Sequence, residues 1–162
     1  YQVAHVDAAK PNVQAAGVAA KWNGLQDAPI RYLVDDAAKF VAREVRRQRV
    51  YQAIVLDPPA YGHAPTGKAW RIERDLYPLL SDCFDLLDRN RFRVLITGHS
   101  APMGAKEVIG FFQDFWRRQR SIEQTGLRIE SGRSQLLDRQ KRPLDAGFFV
   151  RIEYRSPTHS TN

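Results

Sequence analysis

Three short apolar runs of the chain each end in an acidic residue: Asp7, Asp36 and Asp57. Apolar runs of this length are typical of strands in a parallel sheet. In open α/β sheets, ligands bind at the edge formed by the carboxyl ends of the strands, where a carboxylate can accept hydrogen bonds from hydroxyl or amino groups. The three acids are therefore candidate ligand-binding groups. For the first two, capping of the following helix is an equally simple role.

The third acid opens the most informative string of the sequence, Asp-Pro-Pro-Ala-Tyr-Gly at residues 57–62. The preceding residues, 53–56, are all apolar and predict a strand buried on both faces. Two prolines cannot continue a strand ladder, so they direct the chain out of the sheet along a rigid path. This arrangement presents a carboxylate, fixed carbonyl groups and the aromatic ring of Tyr61 at the end of a central strand, which indicates an active site.

Strand and helix patterns alternate along the chain four times before two final strands. Strands are predicted at residues 2–6, 30–34, 53–57 and 92–97, and a hairpin at 127–137 and 147–154. Helical spacing follows each of the first four strands, most clearly at residues 70–90 and 105–124. We therefore predict an α/β fold, a Rossmann-like doubly wound, mostly parallel sheet closed by a C-terminal antiparallel hairpin.

Composition limits the number of domains and the class of protein. The chain has 162 residues, of which 43% are hydrophobic, enough for one domain with a core. No apolar run is long enough to span a membrane. The single cysteine, Cys83, cannot form an internal disulfide, which favours a reducing, cytoplasmic location. We expect residues 1–156 to form the domain and residues 157–162 a flexible tail.

The net charge of +7 favours a polyanionic partner such as nucleic acid. The densest basic runs, at residues 43–49 and 117–120, fall at the C-terminal ends of predicted helices. Cations are favoured there by the helix dipole, so these runs need no ligand.

The strand-end acids and the string at residues 57–61 resemble class I S-adenosylmethionine-dependent methyltransferases. Further positions are similar to the subgroup related to bacterial 23S ribosomal RNA methyltransferases: His63, Gly67, Trp70, Glu73, residues 75–76, residues 79–80 and the hairpin residues 146–149. The resemblance extends from about residue 2 to residue 154.

The resemblance implies a role for each strand end. Asp7 would accept hydrogen bonds from the ribose hydroxyls of S-adenosylmethionine. Asp36 would accept from the adenine amine while the Ala37 amide donates to a ring nitrogen. Asp57 would border the cofactor and, with the Pro58 and Pro59 carbonyls and the ring of Tyr61, would hold a target amino nitrogen and its base; these last four are the catalytic candidates.

Four side chains near this string are candidates for substrate binding: His63, Lys68, Arg71 and Arg74. They lie in or just after the loop that leaves Tyr61 and could contact phosphate groups. A solvated polar loop is the alternative. His99 follows another predicted strand end and could line the same pocket. The residues suggest no metal site.

One departure from the family concerns the donor side of the site. Family members have a strand with a glycine-rich turn that precedes the strand ending at Asp7 and lies in the middle of the sheet. The sequence contains no such segment, so the predicted sheet lacks its first central strand and has two unpaired edges. We expect this segment to precede Tyr1 in the native protein.

The expected function is methyl transfer from S-adenosylmethionine to an amino nitrogen of a base in ribosomal RNA or another nucleic acid. Two alternatives remain open: a methyltransferase for a small molecule or protein, and a non-catalytic basic nucleic-acid-binding module. Cys83 lies on an apolar helical stripe, which favours a structural cysteine over the nucleophile of a carbon methylation. The sequence leaves the oligomeric state open, and this chain alone could be inactive.

Overall fold

The structure of the chain, a computed structural model, describes residues 2–62, 69–99, 103–119 and 125–157. The secondary-structure elements, in chain order, are β1 (Val3–Asp7), α1 (Lys10–Trp22), β2 (Ile30–Val34), α2 (Ala37–Arg46), β3 (Ala53–Leu56), β4 (Tyr61–Gly62), β5 (Trp70–Arg71), α3 (Ile72–Asp85), β6 (Arg91–Gly98), α4 (Ala105–Arg118), β7 (Leu127–Leu137) and β8 (Pro143–Arg155).

The strands form two main groups. β1 and β2 pair in parallel, while a four-stranded sheet has the order β3-β6-β8-β7. Within this sheet β3 and β6 are parallel, and β8 runs antiparallel to both β6 and β7. The α/β class with its C-terminal antiparallel hairpin is therefore confirmed.

The two groups are not joined by a strand ladder within the described residues, because β1 bonds only to β2 and β3 only to β6. The prediction that residues 53–56 are buried on both faces is wrong: Val55 is 71% exposed. β3 is an edge strand here, so one row of its backbone groups is unpaired among the described residues, and no described element covers the face that carries Val55. The expected pair of unpaired edges is thus what the sheets show.

The hydrophobic core lies between the four-stranded sheet and helices α2, α3 and α4. Alternate side chains of β6 and β8 point into it, including Phe92, Val94, Val150 and Ile152, all at most 1% exposed. Aromatic rings dominate one end, where Phe92 packs edge-on against Phe112 and Trp116. This packing fixes β6, and through it the neighbouring end of β3.

Three element boundaries differ from the sequence pattern. The predicted helix at 70–90 is shorter, because Trp70 and Arg71 pair with β4 as a small hairpin and α3 starts at Ile72. α4 ends at Arg118 rather than continuing to residue 124. β8 starts at Pro143, four residues before its expected start, because its first residues pair with the end of β7.

Candidate active site

The ends of β1 and β2 bring the first two acids to one place. Asp7 is paired in register with Val34, and its carbonyl accepts a hydrogen bond from the Asp35 amide at 3.1 Å. Asp36 therefore follows directly beside the end of β1. The sequence prediction that these acids share an edge is matched by this register.

Both acids also have local roles. One carboxylate oxygen of Asp7 accepts from the Ala9 amide at 2.7 Å and the other from the Asn12 side chain at 3.1 Å. Asp36 is the N-cap of α2, since its Oδ1 accepts from the Lys39 amide at 2.9 Å. The capping alternative therefore holds, and it does not exclude a ligand, because a carboxylate oxygen has two lone pairs and both residues are only partly buried.

Ala37 is the first residue of α2. Amides in the first turn of a helix have no acceptor inside the helix, so this amide is available as a donor. Its position beside Asp36 places a donor and an acceptor at neighbouring residues, the pattern that the edge of an adenine ring requires.

Asp57 leaves the end of β3 and is fixed by a residue that the sequence analysis missed. The Thr97 hydroxyl, at the end of β6, donates to Asp57 Oδ1 at 2.8 Å. The register pairs Leu56 with Ile96, so the next residues on each strand are neighbours. Correct alignment of the two predicted strands could have identified this pair.

The two proline carbonyls are not equivalent. The Pro59 carbonyl accepts from the indole Nε1 of Trp70 at 2.8 Å, while the Pro58 carbonyl has no hydrogen-bond donor among the described residues. Trp70 thus fixes the path of the chain after Asp57, a second contact that the sequence analysis did not assign. The carbonyl available to a ligand is that of Pro58.

Tyr61 stands on the small hairpin, opposite Arg71. The residue is 69% exposed. Together with Ala69, Glu73 and Arg74, these two side chains line an open depression of about 610 Å³. The structure therefore brings Tyr61 together with two of the four predicted substrate-binding residues.

The two arginines in this depression differ in their contacts. The Arg74 guanidinium donates to both carboxylate oxygens of Asp75 and to the Ala69 carbonyl, and its pKa is raised mainly by the Asp75 hydrogen bond. The Arg71 guanidinium has no ion-pair or hydrogen-bond partner within the described ranges. The Arg71 guanidinium is therefore available to pair with an anionic ligand in this depression.

The other predicted residues divide into three groups. His63 and Lys68 lie outside the described residues. His99 is exposed just beyond β6. Cys83 is buried, and burial raises its pKa to about 12, which confirms the structural interpretation of this residue.

Several cations of the basic runs at helix ends form ion pairs with acids of the same region, besides the favourable helix-end position that the sequence predicts. Arg47 pairs with Glu44 at 3.0 Å and Arg117 with Asp114 at 3.0 Å. Arg43 reaches back to the carboxylate of Asp35. In the described ranges, no three His, Cys, Asp or Glu side chains are grouped as metal ligands would be. None of the helices described is long and apolar enough to cross a membrane.

No protein-family model matches this chain, and neither does any curated protein. Among solved structures it is similar to the SAM-dependent methyltransferase from Agrobacterium tumefaciens, with 28% identity and a TM-score of 0.80. The match covers 94% of this chain and 49% of that one, so the chain spans about half the length of this relative.

Two further solved structures share the fold at lower identity. SMU.776, a proposed methyltransferase in complex with SAH, is 15% identical with a TM-score of 0.68, over 94% of this chain and 39% of that one. A proposed rRNA methylase from Clostridium thermocellum is 15% identical with a TM-score of 0.54, over 94% and 75% of the two chains. The chain therefore has the Rossmann-like fold of the S-adenosylmethionine-dependent methyltransferases.

Proposed function

We propose that this chain is the substrate-side part of the catalytic domain of an S-adenosylmethionine-dependent methyltransferase that acts on an amino nitrogen of a base in ribosomal RNA. The observation that carries the proposal is the Asp57 carboxylate, held by Thr97 at the end of β3 and followed in the chain by the Pro58 carbonyl and the exposed Tyr61. In this proposal residues 1–156 form the domain part and the protein works in the cytoplasm.

The residues at the ends of β1 and β2 fit the nucleoside half of the cofactor. Asp7 can accept from vicinal hydroxyls, and Asp36 with the Ala37 amide offers the acceptor and donor that adenine needs. S-adenosylmethionine, when bound, supplies an electrophilic methyl group on a sulfonium. Among the described residues, β1 and β3 each have one unpaired edge, and in this proposal a further strand completes the cofactor site there.

The chain's own residues would orient the nucleophile. An exocyclic amine has two protons, and the Asp57 carboxylate and the Pro58 carbonyl are two acceptors from neighbouring residues. Thr97 holds one oxygen of Asp57, which leaves the other oxygen to accept from the amine. Fixing the nitrogen in this way lowers the barrier mainly through orientation, since the amine must present its lone pair to the methyl group.

The substrate class is inferred from charge and shape. The exposed ring of Tyr61 offers a stacking surface for a base that has left its helix. Arg71, opposite it, offers a free guanidinium for a phosphate, within a chain of net charge +7. The open depression of about 610 Å³ suits a polymer better than an enclosed pocket would.

Cofactor binding is the first test. Titration of the full-length protein with S-adenosylhomocysteine should show micromolar binding that Asp7→Ala weakens at least tenfold, because the ribose would lose its acceptor. Since Asp7 also holds the Ala9 amide, a melting curve of the variant must accompany the titration. Absence of binding to the full-length protein would overturn the proposal.

Methyl transfer is the second test. With labelled cofactor, ribosomal RNA should become labelled, and Asp57→Ala should reduce kcat by about 100-fold or more because the target nitrogen loses an orienting acceptor. Nuclease digestion would then identify the methylated base. Label in small metabolites or protein, with unlabelled RNA, would replace the RNA substrate by one of those classes.

A further inference from the structure

The hairpin of β7 and β8 continues beyond the sheet to which it belongs. β6 pairs with β8 only from Phe148 to Arg155, whereas β7 and β8 stay paired as far as Leu137 and Pro143. Residues 133–147 therefore form a two-stranded arm. Its five β8 residues correspond to a length of about 15 Å at the usual rise per residue.

The topology places this arm at the active-site edge. β8 is antiparallel to β6, so the residues that precede Phe148 lie beyond Gly98, the C-terminal end of β6. The backbone confirms this close approach: a Cβ atom on Gly147 would be 2.2 Å from the Gly98 carbonyl oxygen and 3.2 Å from His99 Cα. Thr97, which holds Asp57, is the residue before Gly98.

The arm has a fixed tip. The Asp138 carboxylate accepts from the amides of Gln140 and Arg142 and from the Arg142 guanidinium, at 2.7 to 2.9 Å. The Asp138 amide donates to the Arg142 carbonyl, and Lys141 occupies the left-handed region with φ 61°. The turn is therefore ordered by its own contacts.

The charges of the arm are unbalanced. Residues 133–145 contain four cations and two acids. Each acid has a cationic partner within the arm, Asp138 with Arg142 and Asp145 with Arg133. Arg139 and Lys141 have no side-chain partner within the described residues, so the tip presents two unused positive charges.

The arm also exposes apolar side chains that the core does not use. Leu136 and Leu144 face each other across the two strands and are 60% and 62% exposed, and Leu137 is 66% exposed. Proteins that unstack nucleic acid place leucine and similar side chains against base steps. Cations beside leucines fit a polyanion with apolar bases.

We propose that residues 133–147 are an RNA-docking arm, in which Arg139 and Lys141 contact phosphates and the leucines pack against bases next to the target nucleotide. The arm would hold the strand open while the target base enters the site at Asp57. This inference rests on the proposed function, because it requires an RNA substrate.

The test compares matched double variants of the full-length protein. Arg139→Gln with Lys141→Asn removes both free charges, and asparagine tolerates the left-handed conformation at 141. The control, Arg117→Gln with Arg118→Gln, removes the same charge from the end of α4, at the opposite sheet edge. Fluorescence anisotropy with ribosomal RNA fragments at several salt concentrations gives the affinity and its salt dependence.

The arm variant should bind RNA about tenfold more weakly than wild type at low salt, and its log–log salt slope should be smaller by about 1.4, the value for two contacts to single-stranded phosphates. The control should stay within about twofold of wild type. Leu136→Ser with Leu144→Ser should weaken binding while leaving the salt slope unchanged, because no phosphate contact is lost.

Three results would overturn the arm. Equal RNA affinity and equal salt slope for wild type and the arm variant would exclude RNA docking by the arm. This result would not contradict the proposed methyl transfer. If Leu136→Ser with Leu144→Ser changes only the molar mass measured by light scattering, the arm is an interface between copies of the chain and not an RNA-binding surface. Cofactor binding without RNA binding by wild type would remove both the RNA substrate and the arm. Failure of S-adenosylhomocysteine binding separately marks failure of the proposed enzyme.

Discussion

Two regions of the molecule differ in how completely their apolar side chains are buried and their strands are paired. In the region of β6, β8, α3 and α4, side chains such as Phe84, Ile96 and Phe112 are fully buried, and β6 and β8 have a strand on both sides. In the region of α1, β1, β2 and β3, Trp22 is 84% exposed and Val55 71%. The first region orients the substrate-side group through Thr97, while the second carries the acids assigned to the cofactor. Asp57 is thus held by a contact from the well-buried region, while the other region leaves large apolar side chains exposed among the described residues.

The largest expected effect is on the free energy of unfolding, and it differs between the two regions. Phe84→Ala should lower the free energy of unfolding by about 3–5 kcal/mol, because a buried ring leaves a cavity among Phe111, Phe112 and Phe115. Val55→Ala should cost less than about 0.5 kcal/mol, because its side chain faces solvent. Urea unfolding of both variants measures the difference. Equal costs for the two variants would contradict the exposed position of Val55.

The next effect concerns the base of the arm. Gly147→Ala should disrupt the junction of β8 with Gly98, because the residue has φ 86° and the added Cβ would overlap the Gly98 carbonyl. We expect a loss of about 2–4 kcal/mol in the free energy of unfolding and a reduced kcat.

Gly110→Ala is the matched control for this change. The site is inside α4 with nothing within 4 Å of the new methyl group. Because alanine favours a helix over glycine, the variant should gain about 1 kcal/mol. Thermal melting measures both variants, and a neutral Gly147→Ala would contradict the close packing of arm and sheet.

Substitutions of Thr97 test whether its hydroxyl positions Asp57, the proposed acceptor for the target nitrogen. Thr97→Val keeps the shape but removes the hydroxyl that donates to Asp57, so kcat should fall about tenfold with little change in KM for RNA. Thr97→Ser, which keeps the donor, should restore most of the activity. Similar kcat values for the serine and valine variants would argue against this hydrogen bond.

The smallest effect lies between the two regions, where α2 contacts Tyr51, two residues before β3. The Tyr51 hydroxyl donates to the buried Glu44 carboxylate at 2.7 Å, and this bond, with help from Arg47, holds the pKa of Glu44 below its usual value. A lowered folded-state pKa stabilises the protein above the unfolded value of 4.5 and loses that contribution as pH falls through the folded value.

Unfolding free energies at pH 7 and pH 3 should therefore differ by about 1 kcal/mol more for wild type than for Tyr51→Phe. In the variant the carboxylate loses its strongest donor, so its pKa returns toward the usual value. Parallel pH profiles for the two proteins would show that the Tyr51 hydroxyl does not stabilise the charged form of Glu44.

The sequence alone determined the fold class, the order of the elements and the acids at the strand ends, because apolar periodicity and proline positions are local signals. It also placed Cys83 in the core and explained the helix-end cations by the helix dipole, without a ligand. The resemblance to a methyltransferase family, which rests on residues 57–61 with two acids upstream, agreed with the fold of the solved structures.

Tertiary structure decided what depends on contacts between distant residues. Thr97 donates a hydrogen bond to Asp57, 40 positions away in the sequence, because strand register places them side by side. The Trp70 indole donates to the Pro59 carbonyl because the small hairpin brings these residues together. The pairing of β7 with β8 likewise extends β8 beyond the end of β6. As a result, residues between the two strands predicted from the sequence belong to the arm. Val55 is exposed for the converse reason, since an apolar residue is buried only where another element covers it.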